Sequence, residues 1–417
     1  MNSPSESIPF VRYIGLDVHK DYITVGGMNF HQEVVLRPRN VEMRRFRAWA
    51  ESNLCPTDAV VLEATTNTWD IYDIVAPLVA KTVVAHPPEV KQIANASVKI
   101  DKHDVIRLIR LLIVNMVPEV WVPPVHVREL RALMSYRWRL LKMSTMVINR
   151  LRSLLHRHNI PGPEGKLYAI KNQDFWNDLE LSPIETMRVH QELATLRQLR
   201  AHIDEIQQQL AILSNSDPWK DQAVYLMQLP GIGLVVTMTV LSAIGDISRF
   251  PSAKKLVGYA GLGAGVHHSG KTKRGKRITK RGRRELRWAM VEAAWRAVRY
   301  DHHWKAQFEE LKTRKHPSQA IVAIARKMLV VVWHVLSKQV PCRHSQDEDL
   351  AYKMIIWSQR LDEEALQGLT RQQFAKYGLL RLGAGQDIER IVRSGLPRRL
   401  APAADVLSLK PDLRPPQ

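Results

Sequence analysis

Residues 11–29 read VRYIGLDVHKDYITVGGMN and contain two short apolar segments separated by a polar break. The first segment, YIGLDV, has one acid, Asp17, near its end. After the polar residues 19–21, the second segment, YITVGGMN, is again rich in residues that favour strands. Alternation of this kind around a short break is typical of two paired strands. We therefore expect a sheet to begin here.

The segments that follow extend this sheet. Residues 33–40 (EVVLRPRN) indicate a third strand, and residues 41–53 have helical spacing. A β-branched strand, DAVVLEAT, follows and contains Glu63; a helix at residues 68–80 and a buried strand at residues 81–87 come next. Three strands followed by alternating helices and strands predict a mixed α/β sheet whose first three strands are antiparallel.

Two acids lie at the ends of predicted strands, and two more lie close together downstream. Asp17 and Glu63 come on or just after apolar strands, where a buried carboxylate is costly unless it is paired or bound to a metal. Asp101 and Asp104 are three residues apart and share one face of a predicted helix beside an apolar stripe. The structural alternatives are strand ends that reach solvent and an acidic first turn that suits the helix dipole.

Taken together, four carboxylates from two strands and one helix predict a site for two divalent cations. Oxygen ligands of this kind favour Mg²⁺ or Mn²⁺, and paired metal ions suit in-line phosphoryl transfer. Asp70 and Asp73 have the same spacing but lie beside Trp69 and Tyr72, so a packing role is expected for that helix.

The sequences IGLDVHKDYITV, VVLEAT and KIDKHDV, in this order, resemble the RuvC-like, ribonuclease-H-type domain of DEDD transposases. The resemblance implies that Asp17, Glu63, Asp101 and Asp104 bind the catalytic metal ions. Lys102 also fits the pattern of that family.

The middle of the chain is helical and basic. Residues 127–160 form a long helical segment that ends at the PGPEG sequence of residues 161–165. Farther on, apolar residues recur at intervals of three and four: Leu196, Leu199, Ile203, Ile206, Leu210 and Leu213. This spacing is that of a coiled-coil seam. Because it covers fewer than three heptads, a helical hairpin within the chain and a dimer contact remain equal alternatives.

The LPGIG sequence at residues 229–233 lies between two apolar helical patterns. Gly231 and Gly233 would allow the backbone to approach a phosphate, and the following helix would offer free N–H groups. The segment resembles a helix-hairpin-helix element, which binds the DNA backbone without reading the base sequence. A tight connection between two packed helices is the alternative.

The most basic stretch is LGAGVHHSGKTKRGKRITKRGRRELR at residues 262–287. Residues 251–300 contain 14 Lys plus Arg and 2 Asp plus Glu, so they supply +12 of the net charge of +20. Such a field attracts phosphate, so we expect nucleic-acid contacts from Lys271, Lys273, Arg274, Lys276, Arg277, Lys280, Arg281, Arg283 and Arg284. The residues alone leave Ser269 as either a nucleophile or part of a phosphate-binding loop.

The sequence from LPGIG through FPSAKKLVGYAGLGAG to SGKTKRGKRITKRGRRELR resembles the second conserved domain of the insertion sequence 110 family of DEDD transposases. This resemblance, with the one at the N-terminus, implies that Ser269 is the nucleophile. It further implies a guide RNA encoded by the element and assembly as dimers and tetramers on donor and target DNA. The paired His267 and His268 depart from the family pattern; we expect phosphate contacts from them rather than a role as a base.

Composition limits the other classes. The sequence pI is about 10.0, which favours a polyanionic partner, and 45% of the residues are hydrophobic, enough for packed cores. The two cysteines, Cys55 and Cys342, exclude a disulfide framework. Residues 1–10 lack the features of a signal peptide, and the apolar run at residues 320–335 is judged too short for a membrane span. We expect a bacterial cytoplasmic protein that acts at the nucleoid, with no membrane partner.

These observations predict an α/β fold joined to helical parts. The expected segments are a RuvC-like DEDD domain (1–125), a coiled-coil linker (126–215), a mainly helical C-terminal domain with the helix-hairpin-helix element and Ser269 (216–344), and an extension without assigned function whose end is disordered (345–417). The leading hypothesis is a Mg²⁺-dependent DNA transposase that uses a phosphoserine link. A metal-dependent junction resolvase without a serine nucleophile and a non-enzymatic nucleic-acid-binding scaffold are the alternatives.

Overall fold

The computed structural model describes residues 10–93, 101–269, 272–342, 345–393 and 395–410. Gly270, Lys271 and the predicted disordered tail at residues 411–417 lie outside these ranges. The chain divides into two compact units, Met1–Pro123 and Pro124–Gln417.

The first unit is built around a five-stranded sheet. Its strands are β1 (Arg12–Val18), β2 (Tyr22–Met28), β3 (Val34–Glu42), β4 (Asp58–Glu63) and β5 (Lys81–Ala85). Its helices are α1 (Phe46–Asn53), α2 (Thr68–Val75), α3 (Pro87–Ile93) and α4 (Asp101–Ile113). The strand order is β3-β2-β1-β4-β5; the first three strands are antiparallel, and β1, β4 and β5 are parallel. The predicted mixed sheet is thus confirmed.

The two faces of this sheet are covered by different helices. Side chains on successive residues of a strand point to opposite faces. Leu16 and Leu62 belong to the core that also contains residues of α1 and α2. Tyr13 and Val61 belong to the opposite core, which contains the apolar stripe of α4. The sheet is therefore the middle layer of three.

The second unit is mainly helical. Its helices are α5 (Val125–Arg157), α6 (Gln173–Asn177), α7 (Pro183–Ser214), α8 (Lys220–Met227), α9 (Leu234–Ile244), α10 (Ala253–Tyr259), α11 (Arg284–Tyr300), α12 (His302–Lys312), α13 (Pro317–Lys338), α14 (Asp347–Ser358), α15 (Arg371–Leu380) and α16 (Ala403–Leu409). It also contains two hairpins, β6 (Ala264–Ser269) with β7 (Thr272–Ile278) and β8 (Arg390–Arg393) with β9 (Leu396–Arg399).

The long helices α5 and α7 pack against each other within one chain. Arg150 near the end of α5 donates to the Glu192 carboxylate near the start of α7 at 2.8 Å, so the helices are antiparallel. The seam residues Leu196, Ile203 and Leu210 are buried. The seam of α7 therefore packs against α5 as an intramolecular hairpin.

Three expectations for the second unit need correction. The stretch around Ser269, expected as a loop, contains the β6–β7 hairpin. Its β-branched residues Thr272 and Ile278 favour strands, and pairing satisfies their backbone groups. The segment after residue 345, to which the sequence assigned no function and no helices or strands, contains three helices and a second hairpin within its described residues.

The third correction concerns the apolar run at residues 320–335. The helix that contains it, α13, extends for 22 residues and is long and apolar enough to cross a membrane. Half of the most apolar 18 residues of this helix are buried inside the protein. Its contacts with α10, α11 and α12 make it the central helix of this unit.

Candidate active site

An ion pair sets the register of the two strands that carry the first two acids. Arg12 begins β1 and lies opposite Asp58, which begins β4. The guanidinium donates from Nε to Asp58 Oδ1 at 2.8 Å and from its terminal nitrogen to Asp58 Oδ2 at 2.6 Å. The Cys55 N–H donates to the same carboxylate, and Asp58 is fully buried. The hydrogen bond to Asp58 raises the pKa of Arg12. Such a bidentate pair stabilises one register against a slip.

This register places Asp17 level with Glu63. Each acid lies five residues after its member of the Arg12–Asp58 pair, and the strand pair directly before them is Leu16 opposite Leu62. Since strand side chains alternate, Asp17 and Glu63 belong to the same sheet face, the one covered by α4. Both acids are half-buried.

Helix α4 crosses that face at close range. A Cβ on Gly15 would lie 2.8 Å from the Val105 carbonyl oxygen and 2.8 Å from Ile109 Cγ1. A residue with a side chain at this position would push the helix away from the sheet. Glycine at position 15 is therefore required for the observed distance between α4 and β1.

The direction of α4 brings its first turn to the same edge. Leu112 at its end lines a cavity together with Phe10 and Tyr13, at the start of β1. The helix therefore runs antiparallel to β1, and its beginning, at Asp101, lies towards the strand end that carries Asp17. The first turn of α4, which carries Asp104, therefore starts towards the sheet end at which Asp17 and Glu63 lie, and the side chain of Asp101 lies outside the described residues.

The surroundings of these acids include a residue that the sequence analysis passed over. His19 Nε2 lies 3.1 Å from Asp17 Oδ2, and the Asn67 amide donates to the His19 carbonyl oxygen at 3.4 Å. Next to Glu63, the buried Thr68 hydroxyl donates to the Glu63 and Thr65 carbonyl oxygens. These bonds hold the loops that follow the two strands. The signal for His19 was its place directly after the apolar strand, where the polar break begins.

The donor chemistry at this edge fits a hard divalent cation, since all four predicted ligands are carboxylates. Asp104 presently accepts from Arg107 at 3.0 Å and is half-buried. Within the described side chains, which do not include that of Asp101, no three His, Cys, Asp or Glu residues form a group able to hold a metal. The bond from Arg107 goes to Oδ1 of Asp104 and leaves Oδ2 for a cation, and the assignment of the four acids as ligands stays a prediction.

In the second unit, Ser269 is the last residue of β6, and its backbone is opposite Thr272, the first residue of β7. His267 and His268 pair with Arg274 and Lys273 in the same register. The side chains of residues 266–277 lie outside what the structure describes, and so does Lys271 altogether. The contacts predicted for Lys273, Arg274, Lys276 and Arg277 therefore rest on sequence.

The base of this hairpin is tied closely to the helices around it. The Thr279 N–H donates to the Gly263 carbonyl at 3.0 Å, and the Arg283 N–H donates to the Tyr259 carbonyl at 2.8 Å. Gly282 has φ +108°, and a Cβ there would lie 2.2 Å from the Tyr259 carbonyl oxygen, so only glycine fits. The hairpin thus leaves the helical core at a fixed place.

The predicted cations near that base differ in their surroundings. Arg283 donates through Nε to the Tyr259 hydroxyl at 3.1 Å and lines a cavity of about 60 Å³ with Arg131 and Arg137. Burial acts to raise the pKa of Tyr259, but Arg283 and its neighbouring arginines produce a net lowering. The remaining predicted cations that the structure describes are exposed: Lys280, Arg281 and Arg284.

The LPGIG turn connects α8 to α9, and its two glycines serve different purposes. Gly231 has φ +76°, and a Cβ there would lie 2.1 Å from the Ala293 carbonyl oxygen of α11. Gly233 precedes the first residue of α9 and has open space where a Cβ would be. The turn lines a cleft of about 420 Å³, shared with Arg296, Lys353 and Arg393. Gly231 is thus explained by helix packing, whereas Gly233 is available to a ligand.

Comparisons with known proteins match these two regions separately. A family model described as a transposase, the DEDD domain of the insertion sequence 110 group, matches residues 14–160. A second model, described as the transposase IS116/IS110/IS902 family, matches residues 223–309. The first match contains all four predicted acids, and the second contains Ser269 and the LPGIG turn.

Individual relatives agree with the two models. The transposase for insertion sequence element IS1111A of Coxiella burnetii is 23% identical over 346 residues, which are 80% of this chain and 92% of that protein. A relative in Sinorhizobium fredii named as a transposase is 29% identical over 247 residues, 56% of this chain and 57% of its own length. The pilin gene-inverting protein of Moraxella bovis is 34% identical over 146 residues, 33% of this chain and 44% of that protein.

The mixed sheet with its DEDD match and the downstream transposase match define the class of the protein, a DNA transposase, which is an enzyme. A DEDD domain implies dependence on a divalent metal ion in general. Within that class, the chain belongs to the insertion sequence 110 family of transposases.

Proposed function

We propose that this transposase cuts and rejoins DNA through a covalent link to Ser269, with Asp17, Glu63, Asp101 and Asp104 of a RuvC-like domain as its metal ligands. The observation that carries the proposal is the β1–β4 register, which sets Asp17 level with Glu63, together with the direction of α4, whose first turn starts towards the same sheet end. The basic stretch around Ser269 supports a phosphate as the group that is attacked.

The proposed chemistry consists of two substitutions at phosphorus. In the first, Ser269 Oγ loses its proton and forms a bond to the scissile phosphorus, while the bond to one deoxyribose oxygen breaks and that oxygen gains a proton. In the second, a deoxyribose hydroxyl of another strand attacks the phosphoserine and releases Ser269. The carboxylates would hold Mg²⁺ or Mn²⁺, whose charge would stabilise the negative charge that develops on the phosphate oxygens.

The cations on and after the β6–β7 hairpin support a second role for the same region. Residues 271–287, directly after Ser269, are rich in Lys and Arg and supply positive charge near the expected scissile phosphate. Phosphate contacts fix the position of a nucleic acid but read no base sequence. On the strength of the family resemblance, we propose that an RNA encoded by the element selects the donor and target sites by base pairing, and that dimers or tetramers of the chain assemble on them.

Replacing Ser269 tests the covalent link. A Ser269→Ala protein should lose strand transfer by about 10⁴-fold or more, because no side-chain oxygen remains to form the link. Wild-type protein stopped with denaturant during reaction on radiolabelled DNA should carry label on a denaturing gel, and the variant should not. Ser252→Ala is the matched control, since the Ser252 side chain makes no capping bond to α10.

Two other outcomes would favour the alternatives. Strand transfer by Ser269→Ala at the wild-type rate would indicate a resolvase that relies on metal alone. Wild-type protein with no strand transfer, with or without Mg²⁺, would indicate a nucleic-acid-binding scaffold. The guide is tested separately: the protein purified from cells that carry its flanking DNA should retain a defined transcript of that flank. Recovery of degraded host RNA alone would contradict the guided mechanism.

A further inference from the structure

The second hairpin, β8–β9, concentrates positive charge in a part of the chain that lies beyond both family matches. It contains Arg390, Arg393, Arg398 and Arg399. The register places Arg390 directly opposite Arg399. Like charges at directly opposed positions of an antiparallel pair destabilise it. This hairpin therefore has an electrostatic cost that an anionic ligand would remove.

The hairpin has one face that attaches it to the second unit. Ile391 is buried. The Arg393 guanidinium lies 4.6 Å from the centre of the Tyr352 ring and pairs with Asp349 at 2.5 Å. Arg398 lies 5.3 Å from the centre of the same ring. These contacts with α14 use two of the four arginines for packing and fix which way the hairpin faces.

The opposite face is exposed. Residues that pair across an antiparallel ladder share a face, so Arg390 and Arg399 share one with Val392 and Pro397. All four are exposed, and Val392 retains 63% of its accessible surface. Among the described residues, neither Arg390 nor Arg399 has a salt-bridge partner. The neighbouring acid Glu389 acts instead on Lys376.

The packed face of the hairpin adjoins a site already described. Arg393, at the end of β8, lines the cleft of about 420 Å³ that also contains Gly231, Gly233 and Arg296. The hairpin thus lies next to the LPGIG turn, where the sequence predicts a phosphate contact. Directly opposed residues lie about 5 Å apart between their Cα atoms, and phosphates on one strand of duplex DNA follow one another at about 3.4 Å along the axis. Two long arginine side chains can therefore reach successive phosphates.

We propose that the outer face of β8–β9 binds the phosphodiester backbone of duplex DNA, through Arg390 and Arg399. The inference uses the class of the protein, which supplies DNA as the substrate, and does not depend on the role of Ser269. The contact is independent of base sequence and enlarges the DNA footprint beyond the two conserved regions. It gives the C-terminal segment a function in holding the substrate.

The salt dependence of binding tests this proposal. Full-length wild-type and Arg390→Gln/Arg399→Gln proteins are titrated with a duplex of about 30 base pairs and arbitrary sequence, without divalent metal, over a salt series. A plot of log K against log salt has a negative slope, and each lost phosphate contact reduces its magnitude by about 0.9. The double variant should therefore have a slope that is shallower by about 2. Arg390→Lys/Arg399→Lys should keep the wild-type slope, since a phosphate contact needs a charge rather than a planar group.

Two controls separate this contact from net charge and from folding. Arg44→Gln/Arg45→Gln removes two charges in the first unit, where both side chains pair with Glu42 and are more than 70% exposed; its slope should remain near wild type. The melting temperature of Arg390→Gln/Arg399→Gln should not fall, because the substitution removes a repulsion. An unchanged slope in Arg390→Gln/Arg399→Gln, or an equal loss in Arg44→Gln/Arg45→Gln, would overturn the proposal. A change in oligomeric mass with an unchanged slope would instead assign this face to a protein contact.

The experiment stays independent of the proposed chemistry. Binding is measured without metal and without strand transfer, so a catalytic role for Ser269 could fail while the hairpin contact holds. Conversely, a normal covalent link with an unchanged salt slope would reject the hairpin contact alone.

Discussion

The two units place their charged groups differently. In the first unit, Asp17 and Glu63 lie at strand ends, half-buried, on the face that α4 covers. In the second unit, several cations are bound to backbone carbonyl oxygens: Arg131 donates to those of Ser242 and Ala243, Lys353 to those of Met227 and Leu229, and Lys376 to those of Gly385, Gln386 and Ile388.

Charge at a strand end can reach a ligand, whereas charge held by backbone carbonyl oxygens serves the fold. Burial lowers the pKa of Arg131 to about 10 and that of Lys353 to about 8. Part of the net charge of +20 therefore holds helix ends in place and does not contact nucleic acid. Substitutions in the two groups should separate into losses of activity and losses of stability.

The largest expected effect comes from an acid at the sheet edge. Asp17→Asn keeps the size of the side chain and a hydrogen-bonding oxygen for His19 but removes the negative charge. Strand transfer should fall by about 10³-fold, while the melting temperature changes by no more than about 2 °C. Rates at several Mg²⁺ and Mn²⁺ concentrations, together with calorimetry, measure both. Asp21→Asn, an exposed acid in the next turn, is the control. Normal strand transfer by Asp17→Asn would contradict the assignment of the charge at the sheet edge to activity.

A second test separates a glycine used by the fold from one open to a ligand. Gly231→Ala forces a Cβ to within 2.1 Å of the Ala293 carbonyl oxygen at φ +76°, so the free energy of unfolding should fall by about 3 kcal/mol or more. Gly233→Ala meets no atom within 4 Å and should cost at most about 1 kcal/mol. Urea denaturation gives both values. Equal losses in the free energy of unfolding would mean that Gly231 and Gly233 contribute to the fold in the same way.

The smallest effect is a pH dependence in the second unit. The pKa of Lys353 is lowered from 10.5 to about 8 by burial. Between these values the unfolded chain holds a proton that the folded chain has lost, so this residue makes the free energy of unfolding rise with pH, by about 1 kcal/mol per pH unit. The free energy of unfolding is measured against pH for the wild type and for Lys353→Met. The difference between the two should show this rise above pH 8. Parallel curves would indicate that Lys353 stays charged in the folded protein.

The sheet and the position of its acids could be predicted because strand patterns are local. The alternation at residues 11–29 predicted the first strands and their burial. The β-branched segment that ends in Glu63 did the same for β4. The edge shared by these acids follows from parallel pairing of β1 and β4. The roles of Arg12 and Asp58 in fixing that pairing were missed, since a pair 46 residues apart leaves no local pattern.

The second unit was harder to predict because its decisive contacts are long-range or masked by charge. The density of Lys and Arg hid the strand pattern of the β6–β7 hairpin. Gly231 looked like a phosphate contact because its packing partner, Ala293, lies 62 residues away. The fold of the C-terminal segment depends on contacts such as that of the Trp357 indole with the Ser214 hydroxyl, which no pattern in either segment reveals.

The hairpin of α5 and α7 also limits how two copies of this transposase can associate. The leucine and isoleucine row of α7 is already covered by α5 of the same chain. In this arrangement it is not exposed for a coiled-coil contact with a second copy. Pairing through that row would first require α5 and α7 to separate and expose their apolar sides to water. An assembly that leaves this hairpin intact would therefore use outward-facing surfaces, and copies held there could come together or part without unfolding either helix.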